Sequence, residues 1–256
     1  MSAGPIKFSA GNHQYRLDGK PVKGVTTLIS QGLPKPALPR WAANTVAEYV
    51  ADNPDAITQL RSMGRYPMVN ALKGVPWEQR DQAAARGTDV HKLAEHVIHG
   101  AEVEVPEHLA GHVEGYVRFL DTFNVEPILV ERQVASREHW YAGTFDLVAD
   151  IGGVRWFLDL KTSKGIYGET ALQIAAYRNA EFWQDDQGKE QPLPQCERIG
   201  ALHVRTDGTE LIPLESGPAP FRTFLHVSWV AKQTEAIKGW VGDALSPEAF
   251  ELGGAA

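Results

Sequence analysis

The stretch YAGTFDLVADIGGVRWFLDLK, residues 141–161, decides the fold. Two apolar runs flank a turn around Asp150-Ile151-Gly152-Gly153, so the segment predicts two strands closed as a hairpin. Each run carries one carboxylate, Asp146 in the first and Asp159 in the second. Side chains of a strand alternate faces, which sends Asp159 and Lys161 to one side and Leu158 and Leu160 to the other. A hairpin makes Asp146 and Asp159 neighbours, and two like charges at that distance repel unless a cation lies between them. A divalent metal ion is the candidate. Gly143 allows a bulge or a close approach of backbone at the start of the first strand.

Outward from the hairpin, residues 127–135 read as a strand before it, and Glu131 is a charge inside that apolar run. A helix is expected over 169–183, a polar loop over 184–198, strands at 199–204 and 210–213, and a last helix over 219–245. Toward the N-terminus, 6–9, 15–20 and 25–29 read as short strands punctuated by turns. Pro34, Pro36 and Pro39 then break the chain. Helical spacing follows over 41–50, about 54–72, 76–99 and 107–123. The expected fold class is mixed α/β, a central mixed sheet flanked by helices. The expected organisation is a β/helical extension at 1–75, a catalytic core at 76–250 and a flexible tail at 251–256.

The chain has 256 residues, 43% of them apolar, enough to bury a full core. Its single cysteine, Cys196, excludes an internal disulfide and any cysteine-only zinc or iron–sulfur site, which need several thiolates. No run approaches the length of a membrane span, and the first residues carry no apolar signal segment, so a cytoplasmic location is expected and no membrane partner. The net charge of −7 argues against nonspecific nucleic-acid binding over the whole surface, but a cleft can be locally basic and bound metal ions add positive charge.

Candidate side chains are spread along this frame. On the helix over 76–99, His91 and Glu95 lie four residues apart and share a face, where a neutral imidazole can meet a metal. His96 and His99 do not complete a His-Glu-x-x-His zinc pattern. Asp159-Leu160-Lys161 alone also describes a solvated ion pair, but Trp156-Phe157-Leu158 before it implies an interior strand, where charges need partners. On the next helix Gln173 and Tyr177 are one turn apart and face the same way. Glu131 and Glu95 are secondary carboxylate candidates.

In this order the motifs resemble the PD-(D/E)XK nuclease superfamily, and within it the RecB-like and phage-type exonucleases. Gly87-x-x-x-His91 is similar to the helical histidine motif, Gly143-Thr-Phe-Asp146 to the first metal-binding aspartate, Asp159-Leu-Lys161 to the second carboxylate with its lysine, and Gln173-x-x-x-Tyr177 to the motif on the following helix. Val25-Thr26-Thr27 and the proline-rich entry to Trp41 add a weaker similarity to phage exonucleases. The first aspartate follows Thr-Phe rather than proline, and the cysteines of cluster-bearing relatives are missing.

The resemblance implies a restriction-endonuclease-like core and a Mg²⁺- or Mn²⁺-dependent deoxyribonuclease that hydrolyses phosphodiester bonds from DNA ends, in phage or bacterial recombination and repair. It implies metal ligation by His91, Asp146, Asp159 and the Leu160 carbonyl, and catalytic roles for Asp146, Asp159, Lys161, Gln173 and Tyr177. It also implies duplex DNA ends, a single-strand annealing protein and further copies of the chain as partners, while the single Cys196 argues for no iron–sulfur cluster. A structure-specific endonuclease and a non-catalytic DNA-end binder are the competing readings.

Overall fold

The computed structural model describes residues 4–244. Strands β1 (Ile6–Ser9), β2 (Gln14–Leu17) and β3 (Lys20–Val22) form a small antiparallel sheet. Helices α1 (Val25–Gly32), α2 (Ala37–Asp52), α3 (Pro54–Ser62) and α4 (Arg65–Ile98) follow, then α5 (Ala110–Thr122). The second half holds β4 (Glu126–Ser136), β5 (Tyr141–Ile151), β6 (Val154–Lys161), α6 (Gly168–Arg178), β7 (Phe182–Gln184), β8 (Glu190–Gln191), β9 (Arg198–Arg205), β10 (Gly208–Pro213) and α7 (Pro218–Ala236). The protein is thus mixed α/β, with a seven-stranded sheet in the order β10-β9-β6-β5-β4-β7-β8.

The hairpin forms as its sequence predicts. Ile151 pairs with Val154 around Gly152 and Gly153, whose φ angles of +59° and +78° suit a tight turn that residues with a Cβ disfavour. On the far side β6 pairs with β9 in parallel, which is why a helix, α6, intervenes. β6 is therefore interior: Phe157, Leu158 and Leu160 are buried.

Two apolar layers cover the sheet. On one side Phe145, Val148 and Phe157 pack with α1, α6 and α7 through Leu28, Ile174 and Phe224. On the other, Leu147, Leu158 and Leu160 pack with α4 and α5 through Val90, Tyr116 and Phe119. The small sheet closes one end, with Ile6, Tyr15 and Leu17 against Ala135, Ala142 and Phe182.

Several expected elements differ. Residues 25–29 were expected as a strand and form α1: Val25, Leu28 and Ile29 have i, i+3, i+4 spacing and are all buried, so tertiary packing overrides the β-branched composition. The helix expected over 169–183 stops at Arg178, and residues 182–184 instead extend the sheet by pairing with β4. Pro76 lies inside α4, which runs unbroken from Arg65; the expected boundary at residue 75 falls within this helix. The last helix stops at Ala236, followed by a short 3₁₀ turn, Ile237–Trp240, and its expected end at residue 245 and the tail at 251–256 lie outside the described residues. Among the described residues no helix is long and apolar enough to cross a membrane.

Candidate metal centre

The hairpin ladder ends with the pair Leu147 and Leu158, one residue short of Asp146 and Asp159. At this fork Asp146 Oδ2 accepts a hydrogen bond from the Leu160 backbone N–H at 2.6 Å, so the carboxylate is held by the neighbouring strand. On the other side β4 brings Glu131 to the position between the pairs Val130–Leu147 and Arg132–Phe145. Glu131 has φ +48°, a left-handed conformation that non-glycine residues rarely adopt and that marks stored strain.

α4 supplies the third group. Its Gly87 comes so close to the end of β6 that a Cβ would stand 3.2 Å from Thr162 Oγ1, and one turn later His91 reaches the fork. His91 Nδ1 lies 3.7 Å from Asp146 Oδ1 and 3.8 Å from Glu131 Oε1. Ligand atoms of His91, Glu131 and Asp146 all fall within 4.8 Å of one another. They face a cavity of about 20 Å³, room for roughly one water-sized sphere, which Glu95, Tyr116, Leu160 and Leu202 also line.

Asp159 faces a second set of groups. Its Oδ2 lies 2.5 Å from Lys161 Nζ, and its Oδ1 accepts from Gln173 Nε2 at 2.9 Å. The Gln173 carbonyl oxygen accepts from Lys161 Nζ at 3.2 Å, and Gln173 Nε2 lies 3.3 Å from the Tyr177 hydroxyl. Tyr177 packs over Gly143, where an added Cβ would stand 2.4 Å from the ring carbon Cε1. Gly143 is thus required by close approach. One turn of α6 sets the amide and the phenol on one face, as the sequence implies.

Burial sets the electrostatics. It pushes Asp159 up to about 6, with Lys161 drawing it down and Asp146 adding repulsion. Asp146 is also raised, first by burial and then by Glu131, against the opposing charges of His91 and Lys161. Burial works against the His91 imidazolium, but Asp146 and Glu131 outweigh it and lift His91 to about 9. Burial likewise opposes the Lys161 ammonium, and Asp159 and Asp146 reverse the effect, so Lys161 is raised and not depressed. Without a cation the imidazole expected to be neutral is therefore charged. Protons substitute for positive charge that the carboxylates require.

Every candidate named from sequence thus has a definite place. His91 and Asp146 come together, and Glu131, a secondary candidate, joins them in the triad. Asp159 lies across the fork with Lys161, Gln173 and Tyr177 and is not a member of that triad. Glu95 and Leu160 line the cavity. Tyr116 was not singled out from sequence; its phenol is pushed up by burial and then by the charges of Asp146 and Glu131. A lone tyrosine on an amphipathic helix carries no signal of such a role.

The donor set fits a hard divalent ion: two carboxylates and an imidazole converge on a space of about one sphere, beside a third carboxylate and without thiolate. Comparison of the sequence with protein-family models gives no match, and comparison with curated proteins gives none either.

Proposed function

We propose that the protein is a Mg²⁺- or Mn²⁺-dependent deoxyribonuclease, acting as an exonuclease on DNA ends in recombination or repair. The observation that carries this reading is the juxtaposition at one strand fork of His91, Glu131 and Asp146 with the Asp159–Lys161–Gln173 set. Its PD-(D/E)XK character rests on the order of the motifs. The bound cation would supply Lewis-acid activation of water and offset charge that builds on the phosphate.

The chain's own groups have separable tasks in this reading. Asp146, Glu131 and His91 would hold the cation, with Asp159 and the Leu160 carbonyl on the next strand as further candidate donors. Lys161, raised and therefore charged at neutral pH, acts as a fixed positive charge for the scissile phosphate and not as a proton acceptor. Gln173 fixes the lysine and Asp159 together, and Tyr177 supports Gln173.

A feature of α4 supports a nucleic-acid substrate. Tyr66, Lys73, Trp77, Arg80, Ala84, Gly87 and His91 recur at spacings of seven, four and three, so they share one helix face. The face that meets the metal centre at His91 continues outward to Trp77, 57% exposed, and Tyr66, 76% exposed. Arg80 lies over the Trp77 ring at 4.7 Å and pairs with Asp81. Fourteen residues of helix span roughly 21 Å between Trp77 and His91. Aromatic faces interleaved with basic groups suit a strand of bases and phosphates, and they offset the acidic charge of the whole chain only locally.

Digestion of end-labelled linear duplex beside covalently closed circles, with Mg²⁺, Mn²⁺ or chelator, tests the reading. Metal-dependent loss of linear DNA alone supports the exonuclease. Cleavage of circles moves the function to an endonuclease, and binding without cleavage to a DNA-end binder. Single-strand annealing proteins and further copies of the chain are proposed partners from resemblance only.

A further inference from the structure

A second cavity, of about 390 Å³, lies where the end of α6 meets the start of α7. Its size falls in the range of pockets that enclose small organic molecules, roughly 300–1,000 Å³. The charged groups that line it are Arg178 and Arg222, and no carboxylate residue does so. Arg178 donates one bond to the Ser216 carbonyl at 3.1 Å, which fixes its position without neutralising it. Arg222 is exposed, and neither arginine has an ion-pair partner among the described residues. The neighbouring carboxylate of Glu215 is engaged elsewhere, accepting the Gly217 backbone N–H at 2.8 Å.

Arg222 lies in the second turn of α7, a helix whose first turn holds no acidic residue. Arg178 ends α6 and Arg222 lies near the start of α7, so two guanidinium groups line one cavity that no carboxylate residue lines. The rest of the wall is different in kind: Leu193, Pro194 and Phe221 offer apolar surface, and Gln195 an amide. Phe221 is only partly buried and so keeps surface for a ligand. Cys196, also in the wall, is pushed up to about 11 by burial, so its thiol stays protonated and chemically quiet.

We infer that this cavity binds a nucleoside monophosphate, the phosphate between Arg178 and Arg222 and the base against the Phe221 and Leu193 wall. Guanidinium groups match phosphate geometry in pairs of donors, and a planar base suits an apolar wall with an amide beside it. The inference rests on the cavity and its charges, and holds whether or not the metal centre cleaves DNA. If it does, the occupant is a chemical product of that reaction.

Isothermal titration of the full chain in chelator, with dAMP, inorganic phosphate and adenosine, tests the site. Binding of dAMP is expected, weaker binding of phosphate, and none of adenosine. Arg222→Ala, an exposed substitution, is expected to weaken dAMP about tenfold, the scale of one charge-assisted hydrogen bond. Asp146→Asn is expected to leave dAMP affinity unchanged, which separates this cavity from the metal centre. No binding of dAMP at millimolar concentration overturns the inference. So does equal binding of adenosine, unchanged affinity in Arg222→Ala, or loss of binding in Asp146→Asn.

Discussion

Lys161 Nζ lies 2.5 Å from Asp159 Oδ2, two residues away on the same face of an interior strand. The aspartate is 2% exposed and the lysine 26%, so each is the other's principal compensation for lost water. Lys161→Met leaves Asp159 buried without that charge. At pH 8 in chelator the variant is expected to lose about 2 kcal/mol of stability, less than the ~3–5 kcal/mol of a fully enclosed pair. At pH 5, below the Asp159 value of about 6, the loss shrinks because the carboxyl group is neutral. Urea denaturation at both pH values measures the difference, and cleavage by the variant is expected to be absent.

Gly143→Ala tests the chain from β5 to the amide of Gln173. The new methyl group collides with the ring of Tyr177, which is 3% exposed and has no room to retreat. Overpacking is expected to cost about 1–3 kcal/mol, read as a lower denaturation midpoint. Displacement of Tyr177 also removes support from Gln173, so cleavage is expected to fall at least tenfold even in conditions where the variant is folded.

The charge on His91 makes the cation-free protein sensitive to pH. Unfolded, it titrates near 6.5, and folded near 9, so between these values the native state holds the extra proton. The stabilisation is complete below 6.5 and is lost as pH rises through about 9. Asp159, raised from 3.8 to about 6, also favours the protonated native state and gives a loss as pH rises across that lower window. Thermal denaturation in chelator from pH 6.5 to 9 is expected to show a decline in the wild type that His91→Gln lacks. An equal decline in both would remove His91 as its source.

The outward face of α4 predicts a separate phenotype. Trp77→Ala is expected to weaken a labelled single-stranded oligonucleotide by about 1–3 kcal/mol in chelator, the range for one base stacked on an aromatic ring. Trp77→Phe retains most of the affinity. Fluorescence anisotropy reads both, and the 57% exposure of Trp77 means that the fold is not at risk. Equal affinity for wild type and Trp77→Ala would remove this face from the substrate path.

The hairpin was legible because period-two alternation and Gly152-Gly153 are local signals; that Asp146 turns to His91 and Glu131 while Asp159 turns to Lys161 and Gln173 was not, because it depends on the helices packed on each side. The α6 face was legible too, since Gln173 and Tyr177 are one turn apart. The helix at Val25-Thr26-Thr27-Leu28-Ile29 was not, because its β-branched residues favour a strand and only burial against α7 and β5 makes it helical. Strands β7 and β8 are three and two residues long, too short for a periodic signal, and exist by pairing with β4 and with each other. Glu131 stood out as a charge in an apolar strand, but its positive φ and its place beside His91 depend on the sheet. The Arg178–Arg222 cavity joins residues 44 positions apart and leaves no mark in either local sequence.

Whether the His91–Glu131–Asp146 triad serves DNA hydrolysis is decided by the cleavage rate of end-labelled linear duplex DNA in Mn²⁺ by wild type and by Asp146→Asn. Asparagine keeps an oxygen for the Leu160 N–H and removes one charge from the triad, so the fold is retained and the cation is not. Metal-dependent cleavage is expected in the wild type, abolished by chelator, with a loss of about a thousandfold or more in the variant, on the scale of removing metal-assisted transition-state stabilisation of several kcal/mol. Cleavage by Asp146→Asn at the wild-type rate, or a folded wild type that cuts no DNA with Mg²⁺ or Mn²⁺, would contradict a role of the triad in DNA hydrolysis.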